Sequence, residues 1–306
     1  ASDVYKRQIT NRSTANVTGA GTVYFKNGAE LNNQGTFDIQ VDVMLDYVIG
    51  DPVSFSNSGT VRKSGGSGEA SLDFVLTNSG TVNVQSGTLR CDDDLTNNAG
   101  GVIEVASGAN LTVNGTLTNN GELRQTKVVN GTSDVSFLDA GGYGGVIINA
   151  QGSDLDSTTV VIKGNQDCTN VSGETVKRCF DITPTNTTER DATITFYFAN
   201  SELSGNSCDK LNAFHWNGSS WDYVYIDTMY GSSGRLCSSD PPSIRVREVS
   251  TFSPFVLKEN TPTAVTLRYF TARPVAGVSR QAWSLVLLAL GIGGLIAWRA
   301  RRRAPA

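Results

Sequence analysis

Few side chains in this sequence of 306 residues are of types that do chemistry. One group is an acidic run, Asp92, Asp93 and Asp94. Two carboxylates at a suitable separation are enough for glycoside hydrolysis, and carboxylate oxygens also hold calcium. Consecutive residues on a strand point to opposite faces, so adjacent aspartates converge poorly and the run reads first as a solvated corner. Asp154 and Asp156 fall at the same phase of a strand, where a turn is the plain reading and weak cation binding the chemical one. The single histidine, His215, needs a nucleophile and an orienting partner to act as a base, and its neighbours in sequence supply neither. One imidazole also excludes a zinc site of the HExxH kind, and no phosphate-cradling loop, GxSxG elbow or EF-hand loop is present. The expectation is a protein that is not an enzyme, with no cofactor and no metal. Trp216 and Trp221 flank Asn217-Gly218 in WNGSSW, a hairpin pattern. Indole faces stack on sugars, so this hairpin is the candidate ligand-binding element.

Behind these residues stands a repeat. Leu31 opens LNNQGTF, Phe55 opens FSNSGTV, Leu76 opens LTNSGTV, Leu95 opens LTNNAGGV and Leu117 opens LTNNGEL, at spacings of 24, 21, 19 and 22 residues. Between them lie alternating or β-branched pieces such as TVNVQ and GVIEV. Repeats of this length built from short strands predict a right-handed parallel β-helix, a solenoid, over residues 9–150. Asn33, Asn57, Asn78, Asn97 and Asn119 recur at one phase, and stacked at the strand spacing they predict a hydrogen-bonded asparagine ladder. Gly35, Gly59, Gly80, Gly100 and Gly121 are expected to supply the positive φ of tight corners. The region resembles the solenoid passenger regions of bacterial adhesins and autotransporters.

From 151 to 258 the repeat gives way to about seven strand-like stretches, among them TTVVIKG, KRCFDI, ATITFYF and LNAFHW, which predict an antiparallel β-sandwich. Four of the five cysteines fall here. Cys168, Cys179, Cys208 and Cys237 allow three pairings, of which nearest neighbours are preferred, and two disulfides fit an oxidising compartment. No C-x₂-C spacing supports zinc. Cys91 is left over and is expected to be buried. This region is similar to the sandwich modules that precede sorting tails in exported bacterial proteins, which implies spacing or display.

The C-terminal end is a different material. Residues 282–298, AWSLVLLALGIGGLIAW, carry no charge and span about 26 Å as a helix, enough to cross a thin bilayer. Trp283 and Trp298 sit at its two ends, and residues 299–306 carry Arg299, Arg301, Arg302 and Arg303, which predict a cytoplasmic C-terminus. Residues 259–281 read as a linker. The layout resembles the bacterial sorting tails of PEP-CTERM and IPTL-CTERM type, although Pro274 lies in ARPVAGVSRQAW rather than in either signature. That resemblance implies export, a membrane anchor, and transfer by an envelope protease or sorting enzyme. Residues 1–8, ASDVYKRQ, read as a non-native leader, and the chain as N-terminally shortened.

Charge narrows the partners. The formal net charge is -4, and without the four terminal arginines 21 basic residues face 29 acidic ones. Nucleic acid demands a basic surface, so it is not an expected partner, whereas an extracellular polysaccharide is. The expected function is a non-enzymatic, adhesin-like protein of the bacterial cell envelope. The alternatives are a β-helix polysaccharide lyase or hydrolase and a glycan-binding surface module.

Overall fold

The computed structural model describes residues 7–259 apart from Glu189 and Ser253. The chain divides into two compact units, Ala1–Asn260 and Thr261–Ala306, and the described residues all belong to the first. The expected linker beyond Glu259, the apolar span at 282–298 and the basic tail at 299–306 lie outside the described residues, as do residues 1–6 of the expected leader. Among the described residues no helix is long and apolar enough to cross a membrane. The described chain is all-β, and its helical content is two three-residue 3₁₀ turns, Asn200–Glu202 and Cys208–Lys210.

The N-terminal part is a β-solenoid of about five turns. The first turn is Gln8–Asn11, Thr14–Val17 and Gly21–Lys26, and the fifth is Leu95–Asn97, Val102–Val105 and Asn110–Val113. Each strand pairs in parallel with its equivalent one turn on, so three sheets run along the stack. Period-two alternation drives this: Thr81–Val84, Thr88–Cys91 and Val102–Val105 each alternate half-buried with buried residues. In-register columns then fill the interior, one of them Leu31, Phe55, Leu76, Leu95 and Leu117. Lys63 breaks the pattern, taking a core position between Ile39 and Val84 in the paired strands. Its side chain is buried, and Nζ turns back to Asp42 Oδ1 at 3.1 Å and the Gly65 carbonyl at 2.7 Å.

Two details were not visible in the sequence. The first strand begins at Gln8, inside the segment read as a leader; Gln8 pairs with Glu30, and the Arg7 carbonyl accepts from the Glu30 N–H. Backbone pairing needs no particular side chain, so KRQ gave no signal. The corner glycines also serve another purpose than expected. Of the five only Gly100 has a positive φ, at 81°. A Cβ at Gly59 would stand 2.1 Å from the Gly35 carbonyl oxygen, and one at Gly80 would stand 2.2 Å from that of Gly59. Stacked turns leave no room there for a methyl group.

Strand pairing changes character at Glu122–Asn130, ahead of the change in composition at 150. This strand extends the parallel stack from Val102–Val105, and its other edge pairs antiparallel with Asp154–Gly164. The sheet continues through Arg178–Pro184, Phe255–Glu259 and Leu211–Trp216 to end at Trp221–Val224, eleven strands in all. A second antiparallel sheet contains Val135–Phe137, Val146–Asn149, Thr193–Tyr197, Ser243–Val246 and Arg235–Leu236. Rings from the two sheets meet: Phe196 lies 4.9 Å from Phe180 and 5.4 Å from Phe255. One hydrophobic core runs from Phe25 to Leu257. The glycine-rich GGYGG at 141–145 is therefore a loop within the folded unit.

Candidate functional site

The hairpin of Leu211–Trp216 and Trp221–Val224 lies at the end of the eleven-stranded sheet. Its turn is set by Asn217, whose Oδ1 accepts from Ser219 N at 2.9 Å and Ser220 N at 2.8 Å, and by Gly218 at a φ of 99°. Opposed residues share a face, which pairs Trp216 with Trp221 at 5.4 Å between ring centroids and Phe214 with Tyr223 at 6.0 Å. Tyr225 extends the row, 6.2 Å from Tyr223. The two tryptophans do different things. Trp221 donates Nε1–H to the Asn170 carbonyl at 2.9 Å and packs on a small cluster of Cys168, Cys179, Phe214 and Val256. Trp216 lines a cleft of about 630 Å³ together with Tyr223, Tyr225 and Asp222. The far wall is the loop at 248–252, with the Arg190 guanidinium 5.2 Å from the Phe252 ring centre.

His215 closes the bottom of this cleft. Its ring lies 5.2 Å from that of Phe255, and burial pulls its pKa below the ordinary imidazole value, so the neutral form is favoured at pH 7. Asp222 stands opposite it in register and is held by Asn217 Nδ2 at 2.7 Å and Ser220 Oγ at 3.1 Å. Sequence reasoning chose the two tryptophans and missed Tyr223 and Tyr225. Their alternation with Asp222 and Val224 in WDYVY was the available signal.

The other chemical candidates are engaged in corners. Asp92 Oδ1 accepts from Asn114 Nδ2 at 2.7 Å and is ion-paired with Arg90, Nε at 2.9 Å, while Asp93 Oδ1 takes the Asp94 N–H at 2.8 Å and Asp94 Oδ1 takes the Thr116 N–H at 2.8 Å. Asp154 Oδ1 accepts from the N–H of Asp156, which sits at a φ of 55° beside a register shift. Among the described residues no group of three or more His, Cys, Asp or Glu is placed to hold a metal. Disulfides join Cys168 to Cys179 and Cys208 to Cys237, and Cys91 is buried with its thiol pushed up to about 12 by burial.

The asparagines form a ladder. Asn33, Asn57, Asn78 and Asn97 each donate Nδ2–H to Oδ1 of the next, at 2.7 to 2.8 Å, the series ending at Asn119. Asn11 is a further rung below Asn33, also at 2.7 Å; it escaped the motif because Ser13 stands where later turns carry glycine. These amides face the interior and the turn backbone, so they are spent on the scaffold and offer no sugar site. No protein-family model, curated protein or solved structure matches this chain.

Proposed function

We infer that the protein is a non-enzymatic surface scaffold, exported and held at a bacterial envelope by its C-terminal apolar segment, which presents its terminal hairpin to extracellular partners. In this reading the solenoid winds right-handed and the two antiparallel sheets form a β-sandwich joined rigidly to it. The observation that carries it is the eleven-stranded sheet running unbroken from the first solenoid turn to the hairpin over one shared core. Such a body suits holding a surface at a fixed place better than moving around a substrate. The two disulfides support an oxidising compartment. The apolar run followed by arginines supports a single span with its C-terminus inside. The test is labelling of intact source cells with a membrane-impermeant amine reagent, followed by intact-mass measurement. Labelled protein with both disulfides formed supports the reading, and unlabelled protein with free thiols in the cytosol overturns it. A mature mass ending before Trp283 marks the tail as a sorting signal; one ending at Ala306 marks a simple anchor.

One observation favours a polysaccharide-cleaving reading instead. Burial raises the pKa of Asp73, and Asp46, hydrogen-bonded beside it, and Asp92 raise it further. Raising one carboxyl by burial and neighbouring carboxylates is the way a general acid is prepared. Depolymerisation of a polysaccharide by the native chain, lost on Asp73→Asn, would establish that reading.

A further inference from the structure

Where the solenoid meets the antiparallel region, one strand of the stack has no successor. The sheets of Gln8–Asn11 and Thr14–Val17 each gain a strand from the last turn, Leu117–Asn119 and Glu122–Asn130, but the third sheet stops at Asn110–Val113. The outer edge of that strand opens on a cavity of about 370 Å³, closed on the far side by Leu138, Asp139 and Ala140. Alternate residues of a strand turn their backbone groups to opposite edges. The N–H groups of Asn110 and Asn114 go to Gly87 and Cys91, so those of Leu111 and Val113 face the open edge. Two polar side chains enter the cavity from a face that the earlier turns keep mostly apolar. Gln125 continues the column of Val84 and Val105, and Lys127, two residues on, shares its face. Gln125 is 5% exposed; its Oε1 accepts the Leu138 N–H at 2.8 Å, while its Nε2, on the cavity, has no partner among the described residues. Lys127 is half-buried and donates to the Ser136 carbonyl at 2.6 Å, which leaves its other donors unused. Burial pulls its pKa below the ordinary lysine value, and Asp139 offsets part of that.

Buried donors without acceptors are costly, and an ammonium beside an amide N–H suits a carboxylate, whose two oxygens take one donor each. Asp139 sorts the carboxylates. It is exposed, and the one hydrogen bond it takes, from Ser136 Oγ, is long at 3.5 Å. With Lys127 it leaves the cavity without net charge, so a simple anion meets a carboxylate at the mouth whereas a zwitterion finds a partner for each of its charges. We propose that this cavity binds a small α-amino acid, with the carboxylate held inside by Lys127 and Gln125 and the ammonium at the mouth by Asp139. The backbone carbonyl of Leu111, on the open edge, is a second acceptor for that ammonium. The volume lies near the lower end of small-ligand pockets, which suits a single amino acid better than a peptide. Both donors come from Glu122–Asn130, a strand paired on its two edges with Val102–Val105 and Asp154–Gly164. Their spacing is therefore set before a ligand arrives, and little ordering remains to oppose binding.

This site does not depend on the surface-display reading. The full chain, solubilised in detergent, is titrated with L-alanine, L-serine and L-leucine and followed by saturation-transfer NMR. Alaninamide, which lacks the carboxylate, propionate, which lacks the amine, and inorganic phosphate are the comparators. Saturable binding of at least one amino acid is expected, at least tenfold tighter than any comparator. Lys127→Met should weaken it at least tenfold, the scale of one hydrogen bond to a charged group. Gln125→Glu keeps an acceptor for the Leu138 N–H but sets a carboxylate against that of the ligand, and should abolish binding. Asp139 is exposed, so Asp139→Asn keeps the fold, which far-UV circular dichroism checks; it should bring propionate level with alanine. The proposal is overturned if no amino acid binds, if a comparator binds the native chain as tightly as the amino acids do, if Asp139→Asn leaves the preference for alanine over propionate unchanged, or if binding survives Lys127→Met and Gln125→Glu intact.

Discussion

Replacing Asn78 with alanine tests whether the ladder holds the solenoid together. Asn78 is fully buried. Its Nδ2 donates to Asn97 Oδ1 at 2.7 Å, with the carbonyls of Gly80 and Val102 at 3.1 and 3.2 Å sharing the second hydrogen. Its Oδ1 accepts from Asn57 Nδ2 at 2.7 Å and from the Gly80 N–H at 3.2 Å. Most of these neighbours keep other partners in the variant. Asn57 Nδ2 still reaches the carbonyls of Gly59 and Thr81, and the Gly80 carbonyl still takes the Val102 N–H. The loss falls on Asn97 Oδ1, a buried acceptor deprived of its ladder donor. An unsatisfied buried acceptor costs about 1–3 kcal/mol, and the net value of the deleted amide's own bonds adds roughly 1 kcal/mol. The expected destabilisation is therefore about 3 kcal/mol by urea unfolding. Asn11→Ala also removes the donor to a buried acceptor, Asn33 Oδ1, but the vacated position is half-buried and water can take it, so the variant should cost about 1 kcal/mol. Asn78→Asp adds a sign. Burial raises the carboxyl's folded pKa above its unfolded one, so the variant is most stable below the unfolded value and weakens as pH climbs through the folded value. Equal costs for Asn78→Ala and Asn11→Ala would refute the ladder as a source of stability.

Gly80→Ala places a methyl group 2.2 Å from the Gly59 carbonyl oxygen and should cost about 2–3 kcal/mol through overpacking, whereas Gly100→Ala meets no atom within 4 Å and pays only for its φ of 81°; paired urea melts compare them. Asp38 is held below the usual carboxylate range chiefly by the two-pronged Arg62 contact, at 2.6 and 3.1 Å. A depressed carboxyl stabilises above its unfolded pKa, and that contribution is lost as pH falls through the folded one, so Asp38→Asn should flatten the acid limb of a stability–pH curve. The Cys91 thiol, buried and pushed up to about 12, should resist a thiol reagent at pH 8 until urea is added. Opening Cys208–Cys237, which closes a separation of 29 residues, should cost more than opening Cys168–Cys179 at 11, about 3.6 against about 2.8 kcal/mol on chain-entropy grounds.

The solenoid was legible because each turn repeats the same solution. An apolar residue, an inward asparagine and a glycine recur at one phase, and stacking turns that repeat about every 20 residues admits few folds. The same regularity misled the reading of Gly35, Gly59, Gly80 and Gly121. Sequence shows that glycine is wanted, but the reason, a carbonyl from the previous turn pressing on Cα, exists only between turns. The change at Glu122–Asn130 was hidden for a related reason: a strand in a parallel ladder on one side and an antiparallel one on the other carries the same alternation for both. At the hairpin, WNGSSW announced the turn, yet neither its sheet-edge position nor the facing loop at 248–252 is written locally. Trp216 and Trp221 do share a face, 5.4 Å apart, but Trp221 is tied to the Asn170 carbonyl and packs on the disulfide cluster.

The two ends of the ladder explain why the repeat cannot stand apart from the antiparallel region after it. A chain of amides donating in one direction ends in an acceptor at one side and a donor at the other. Asn11 Oδ1 is the acceptor end, met by the Ser13 N–H at 3.2 Å. Asn119 Nδ2 is the donor end, and it is met by the Tyr143 hydroxyl at 3.1 Å. Tyr143 comes from GGYGG and is buried, with the Arg178 guanidinium 3.7 Å from its ring centre. Arg178 is 1% exposed, a costly place for a charge unless every donor is used. Its donors go to the carbonyls of Tyr143 and Tyr197, both at 3.0 Å, and to Glu202 at 2.8 Å. A solenoid needs a terminal cap, and here the antiparallel region supplies it through these three side chains while its strands continue the sheet. The repeat and the region beyond it are one folding unit, so a ligand held at the hairpin is fixed with respect to the solenoid by a continuous hydrogen-bonded path rather than by a flexible joint.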